Sequence, residues 1–254
     1  LFINNIELWQ GDCLELMKKI PDKSIDLVLC DPPYGITACK WDCNISFDQL
    51  WNQYKRIIKD NACIVLFGQE PFSSLLRTSN LEMYRYDWVW QKQKPSNFQL
   101  MNYQPGRVQE NIMVFSKAKA CYTKNGVKIN YFPIKEKRET PRKANVKIYG
   151  SNNLLHTYKT ANNYKLYEDK MPISILQFST PAKKLHPTEK PMSLLEYLIK
   201  TYTKENNIVL DNYMGGWQYR CSCQKAQPPF HRYRIGRALF QHSQRKNREY
   251  TSRR

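Results

Sequence analysis

Ser24-Ile25-Asp26-Leu27-Val28-Leu29-Cys30, followed at once by Asp31-Pro32-Pro33-Tyr34-Gly35, decides how this chain is read. The first seven residues form a short apolar run of the kind that a strand buried on both faces of a parallel sheet requires. The prolines end it: each fixes φ and removes an N–H donor, and the residue ahead of each is held extended. A stiff loop therefore leaves the carboxyl end of a buried strand, the edge where ligands and reacting groups gather in open α/β sheets. Its remaining polar groups, the Asp31 carboxylate and the carbonyl oxygens, are all acceptors. Two acceptors gripping the N–H bonds of a ring-attached NH₂ draw its lone pair out of conjugation and free it to attack a methyl donor. Tyr34 would stack on the face of the base. Asp31, Pro32, Pro33 and Tyr34 are thus the candidate catalytic residues; taken alone, four residues also fit an ordinary Pro-rich turn.

Outward from this point, strand and helix patterns alternate. Phe47 to Ile58 carries Leu50, Trp51, Tyr54, Ile57 and Ile58 at helical spacing, and a turn at Asp60-Asn61 leads into a buried strand over 63–67. A helix after Pro71, strands over 86–90 and 111–115, a helix opened by Pro191 and a strand over 207–211 complete the pattern of a doubly wound α/β sheet. Residues 117–185 interrupt it with a region rich in Lys, Asn, Tyr and Thr, read as a basic insert.

The 254 residues carry 40 Lys and Arg against 22 Asp and Glu, a formal charge of +18. With 41% hydrophobic residues the chain has material for a core, and its charge suits a polyanion, nucleic acid ahead of a membrane surface. No apolar run is long enough to span a bilayer and no signal peptide is visible, so a cytoplasmic protein is expected. Scattered Cys13, Cys30, Cys39, Cys43, Cys63 and Cys121 read as reduced thiols, and the lone Cys221-x-Cys223 lacks the second pair a zinc site needs; no metal is expected. Lys92, Lys94, Arg107, Arg138, Arg142 and Lys143 are candidate phosphate contacts, with a solvated basic face as the alternative for each.

The motifs together resemble the DNA amino-methyltransferases, enzymes that methylate adenine N6 or cytosine N4 with S-adenosylmethionine. Besides Asp31-Pro32-Pro33-Tyr34, the resemblance lies in Gly11-Asp12-Cys13-Leu14-Glu15, Ile20-Pro21-Asp22, Lys40-Trp41-Asp42, Trp90-Gln91-Lys92 and His186-Pro187-Thr188-Glu189-Lys190-Pro191. It implies a Rossmann-like methyltransferase fold with an inserted target-recognition region. The catalytic motif comes first and the cofactor strand last, as in the family's β arrangement, and the Asp form of the motif belongs most often to adenine N6 enzymes. By resemblance, 1–116 is the catalytic half, 117–185 the target-recognition insert and 186–215 the cofactor half. S-adenosylmethionine would be held by Asp12, His186, Thr188, Lys190, Asp211, Tyr213 and Gly215. The implied partners are duplex DNA with a flipped adenine and a cognate restriction endonuclease. Cytosine N4 transfer, or a non-catalytic DNA-binding remnant, fits the same residues.

After Gly215 the resemblance breaks. Residues 216–254 hold ten Lys and Arg, a single acid, Glu249, and only Ile235 and Leu239 among β-branched aliphatics and leucines, too few for a buried strand and a packed helix. The genetic code offers a reason. Trp is TGG and Gln begins with C, so the frame one base downstream at Trp217-Gln218 must read Gly; the next codons must read Asn or Ser, then Ile or Thr. Further on, Phe230 through Gly236 permit Phe-Ile-Gly-Ile-Glu-Leu in that frame. These are the glycine turn and the ribose-binding acid that the family carries, the acid falling at the place of Arg234. The tail is read either as the product of a one-base slip near Gly215 or as a genuine basic extension.

Overall fold

A computed structural model describes residues 2–3, 6–34, 46–121, 126–148, 159–180, 190–213 and 234–240. The decisive run forms a strand over Ile25–Cys30, all six residues buried. In chain order the elements are β1 Phe2–Ile3, β2 Ile6–Gln10, α1 Cys13–Met17, β3 Ile25–Cys30, α2 Phe47–Ile57, β4 Ile58–Gly68, α3 Phe72–Thr78, β5 Tyr84–Gln91 and β6 Gln109–Phe115. There follow β7 Glu136–Ile148, β8 Lys159–Lys170, β9 Ile175–Gln177, α4 Met192–Tyr202, β10 Ile208–Leu210 and β11 Arg234–Phe240. No helix among the described residues is long and apolar enough to cross a membrane.

Nine strands form one sheet in the order β1-β2-β11-β10-β3-β4-β6-β5-β9. β2, β11, β10, β3 and β4 are mutually parallel, while β6 runs antiparallel to both β4 and β5. β3, β4, β5 and β10 therefore end at one edge of the sheet, and β6 begins there. Neighbouring residues of β3 and β4 face opposite ways, as the pleat demands. Leu27, Leu29, Cys63, Val65 and Phe67 pack with Leu194, Leu195, Leu198, Ile199 and Tyr202 of α4. Val28, Cys30, Ile64 and Leu66 pack with Met17 of α1, Leu50, Trp51, Tyr54 and Ile57 of α2, and Phe72 and Leu76 of α3. Both faces are thus covered, which is why these strands tolerate so few polar residues.

Two sequence expectations need correction. Asp60-Asn61 is not a turn: β4 starts at Ile58, directly after α2, because Ile58 pairs with Ile25 while the side chains of Lys59 and Asp60 find ion-pair partners in Asp26 and Lys23. The tail does supply a strand. β11 pairs in parallel with β10 on one side and β2 on the other, so backbone hydrogen bonding fills a sheet position that the tail's composition argued against.

Residues Pro133–Ile173 form a second compact unit, within the span 117–185. Among the described residues its strands are β7 and β8, paired antiparallel with Arg142 opposite Tyr167 and Lys143 opposite Leu166. By contrast β9, also inside that span, joins the main sheet beside β5.

Candidate active site

Asp31 sits one residue past β3, and its two oxygens are both engaged. Lys190 Nζ donates to Oδ2 at 2.5 Å and the Tyr34 hydroxyl to Oδ1 at 2.6 Å. The expected acceptor-only tip is therefore an acceptor already supplied with donors. Both donors lie beside a second carboxylate, Glu110: its Oε1 is 3.0 Å from Lys190 Nζ and 3.1 Å from the Tyr34 hydroxyl. Its other oxygen, Oε2, lies 2.5 Å from Lys92 Nζ. Two carboxylates and two ammonium groups thus balance in one cluster, with the Lys190 ammonium also 5.1 Å from the centre of the Phe67 ring.

Strand direction explains the cluster. Asp31 follows β3, Lys92 follows β5, and Glu110 lies near the start of the reversed strand β6, opposite Trp90. Lys190 precedes α4, whose Leu194, Leu195 and Leu198 anchor it on the sheet. The side chains of Glu110 and Lys190 are 4% and 8% exposed, whereas Asp31 is 24% exposed, so the carboxylate open to an incoming group is Asp31. Sequence reading missed Glu110. Its one signal was an acid at the head of an apolar run, which becomes informative only once β6 is known to run backwards.

The electrostatics follow from burial. Burial, with Glu110 adding to it, pushes the Asp31 carboxyl above its ordinary range, and Lys190 opposes the rise. Burial would raise Glu110 too, but Lys190 and Lys92 outweigh it and hold that carboxyl below its usual value. The Lys190 ammonium, disfavoured by burial, is kept charged by Asp31 and Glu110. Burial and the adjacent carboxylates drive the Tyr34 phenol well upward, so it stays a donor. Its ring is stacked on Phe72 with centroids 5.1 Å apart.

Past the end of β10, Asp211 Oδ1 accepts from the Tyr213 backbone N–H at 3.0 Å, while Oδ2 is buried without a partner. Burial pushes this carboxyl up to about 8, the Tyr213 hydrogen bond opposing and Asp31 adding to the rise. Asn212 accepts from the Tyr54 hydroxyl at 2.7 Å, which ties this turn to α2. Asp12 caps α1, its Oδ1 accepting from the Leu14 and Glu15 backbone N–H groups. His186, Thr188 and Gly215 lie outside the described residues, as does Trp41.

Of the candidate phosphate contacts, Lys92 is not a surface cation: its side chain is 11% exposed and its charge is spent on Glu110. Lys94, Arg142 and Lys143 are exposed. Arg107 is half-buried and donates to Gln69 Oε1, and Arg138 donates to the Asp169 carbonyl.

A parallel-dominated sheet in which β1 and β6 run in reverse, with helices on both faces and an Asp-Pro-Pro-Tyr tip at the carboxyl edge, defines a Rossmann-like methyltransferase fold. The chain belongs to the DNA methylase family N6_N4_Mtase, whose profile matches residues 25–216. Type II methyltransferase M.HinfI of Haemophilus influenzae is 28% identical over 243 residues, covering 84% of this chain and 60% of that protein. Type II methyltransferase M.HpaI of Haemophilus parainfluenzae is 25% identical over 226 residues, covering 84% of this chain and 65% of that protein. The chain thus spans less than two thirds of the length of either. Among solved structures, the M1.HpyAVI–SAM complex superposes with a TM-score of 0.56 at 20% identity, over 94% of each chain. The cytosine-N4-specific PvuII DNA methyltransferase gives 0.56 at 15% identity, over 92% of this chain and 80% of that one.

Proposed function

We propose that the chain derives from a site-specific DNA methyltransferase that moves a methyl group from S-adenosylmethionine to adenine N6 in duplex DNA. One observation carries the reading: a partly enclosed carboxylate, Asp31, stands at the sheet's carboxyl edge, and both donors that occupy it lie beside a second acceptor, Glu110. An incoming amino group takes the Asp31 oxygens as Lys190 and Tyr34 shift their hydrogen bonds to Glu110. No buried donor is orphaned in the exchange, which keeps its cost low. The Pro32 carbonyl is the second acceptor for the amino group, and the stiffness of Pro32-Pro33 fixes the angle between the two. Asp31, Pro32, Pro33 and Tyr34 form the catalytic tip in this reading.

The turn after β10 fits the cofactor. A buried carboxylate oxygen without a donor, Asp211 Oδ2, matches a ligand that brings an ammonium group and hydroxyls. Bound there, S-adenosylmethionine supplies an electrophilic methyl group. Asp211 and Tyr213, with Asp12, His186, Thr188, Lys190 and Gly215 from the motif resemblance, make up its site; Lys190 doubles as the partner of Asp31. Lys94, Arg107, Arg138, Arg142 and Lys143 are the DNA contacts, with 117–185 as the recognition insert. A cytoplasmic setting and a companion restriction endonuclease belong to the same reading.

The one-base slip near Gly215 is also part of this proposal. The Phe-Ile-Gly-Ile-Glu-Leu permitted at 230–235 meets β11 at Arg234 and Ile235, which lie beside Ile208 and Val209 of β10; its first four positions lie outside the described residues. The chain as given then lacks its ribose-binding acid and binds S-adenosylmethionine weakly. Sequencing the gene across codon 215 tests the slip: a shifted frame that does not encode Phe-Ile-Gly-Ile-Glu refutes it. Labelled methyl transfer by the frame-restored chain, with adenine and cytosine separated after hydrolysis, tests the reaction. Label in cytosine alone moves the assignment to N4, the specificity of the PvuII enzyme of the same fold, and no label in DNA refutes the proposal.

A further inference from the structure

The segment 92–108 joins β5 to β6 and leaves the sheet at the edge where Asp31 lies. Its backbone is tightly closed. Lys92 N donates to Val108 O at 2.6 Å and Ser96 N to Arg107 O at 2.9 Å. The Asn97 side chain straps the two limbs, accepting from Arg107 N at 2.5 Å and donating to Pro105 O at 3.0 Å. Phe98–Leu100 form a 3-10 turn that Gln104 N closes on Leu100 O at 3.0 Å. Gly106 lets the limbs meet: a Cβ there would lie 3.1 Å from both Met101 Cε and Pro95 Cβ.

This ordered loop nevertheless holds large apolar side chains in water. Phe98 is 77% exposed and Tyr103 87%, and Leu100 and Met101 between them are also exposed. Clustered apolar surface on an ordered loop is a binding feature rather than a packing solution. The loop contains Lys92, Lys94 and Arg107 and no acid. Its root is joined to the reacting carboxylate through ion pairs, Lys92 to Glu110, Glu110 to Lys190, and Lys190 to Asp31.

We propose that loop 92–108 is a wedge that enters the base stack of duplex DNA beside the nucleotide drawn to Asp31, with Phe98 and Tyr103 as the penetrating groups and Lys94 on a flanking phosphate. The proposal rests on the reading of the chain as a DNA-methylating protein. Charge selects the occupant: the exposed Lys94 and the exposed aromatics, on a loop without an acid, complement a polyanion whose bases stack on any aromatic ring. Opening a gap in the stack costs unstacking energy, and aromatic groups that fill it offset that cost.

The test needs neither cofactor nor recognition sequence. Fluorescence anisotropy compares the 254-residue chain on a duplex and on the same duplex with one abasic site, where the gap is already open. The expected result is tighter binding to the abasic duplex by about tenfold. Phe98→Ala with Tyr103→Ala removes that preference and leaves the affinity for the intact duplex and its salt dependence within about twofold. Lys94→Ala weakens both duplexes equally and lowers the salt slope by about one. Equal binding of the two duplexes by the parent chain, or a preference that survives the double substitution, overturns the wedge. So does self-association of the parent chain that the double substitution abolishes with no change on DNA, since the loop then serves a second copy. No salt-dependent DNA binding by the parent chain overturns the underlying DNA reading as well, and is distinguished by failing on the intact duplex.

Discussion

Asp211→Asn should trade cofactor binding for stability, and the size of the trade depends on pH in a way the structure fixes. The Asp211 carboxyl is buried, and its pKa is raised from an ordinary 3.8 to about 8. Between those values the folded chain holds a proton that the unfolded chain has released. For an acid shifted upward the sign is unfavourable: this group's contribution is complete below about pH 4 and is lost as pH rises towards 8. The loss is about 1.4 kcal/mol per pH unit, or roughly 3–4 kcal/mol between pH 5 and pH 8. That is a large fraction of the roughly 5–15 kcal/mol by which a domain is usually stable. Asn is neutral at every pH, nearly isosteric, and keeps an acceptor for the Tyr213 N–H. Urea unfolding followed by fluorescence of the buried Trp51, Trp88 and Trp90 reads the effect. The advantage of the variant over the parent should grow by roughly 3–4 kcal/mol from pH 5 to pH 8. An advantage that stays constant across that range would refute the reasoning about Asp211, whatever the variant does to cofactor binding.

Three further outcomes follow from the same contacts. Glu110→Gln leaves two enclosed ammonium groups facing one carboxylate and should destabilise the fold by about 3–5 kcal/mol in thermal denaturation; a cost under about 1 kcal/mol contradicts the cluster. Lys190→Met strips Asp31 of its counter-charge and raises its pKa further. The acid limb of methyl transfer by the frame-restored chain should then move to higher pH, and an unmoved limb argues against Asp31 acting as the anion. Tyr202→Phe removes a hydroxyl that accepts from Trp88 Nε1 at 2.6 Å and lies 3.0 Å from the Tyr86 hydroxyl. It should cost about 1–3 kcal/mol by urea unfolding, because a buried indole N–H is left unpaired, and a neutral result contradicts that role.

What could be read from the sequence was whatever local pattern determines. The runs that became β3, β4 and β6 are apolar because both faces of the sheet are covered, and the stripe of Leu194, Leu195, Leu198 and Ile199 on α4 is equally direct. Asp31 and Tyr34 could be singled out because two prolines mark the loop. Glu110 could not, since its value comes from the reversal of β6, and nothing local encodes strand direction. Lys92 failed for the same reason: in sequence it is one more cation in a basic chain, and only the meeting of β5 with β6 turns it inward. The beginning of β4 was hidden by Asp60-Asn61, a turn-like pair held extended by ion pairing. β11 was hidden by composition, because a parallel neighbour on each side recruits backbone that side chains alone would not nominate.

The central claim is that the Asp31 carboxylate makes an aromatic amino group nucleophilic. Its most direct test is single-turnover transfer of labelled methyl to duplex DNA by the frame-restored chain, with Asp31 intact and with Asp31→Ala. Label is expected on the exocyclic nitrogen of adenine for the first, and a rate lower by about a hundredfold to a thousandfold for the second, the scale on which a positioned polar group acts in catalysis. Transfer at an undiminished rate after Asp31→Ala would contradict the claim.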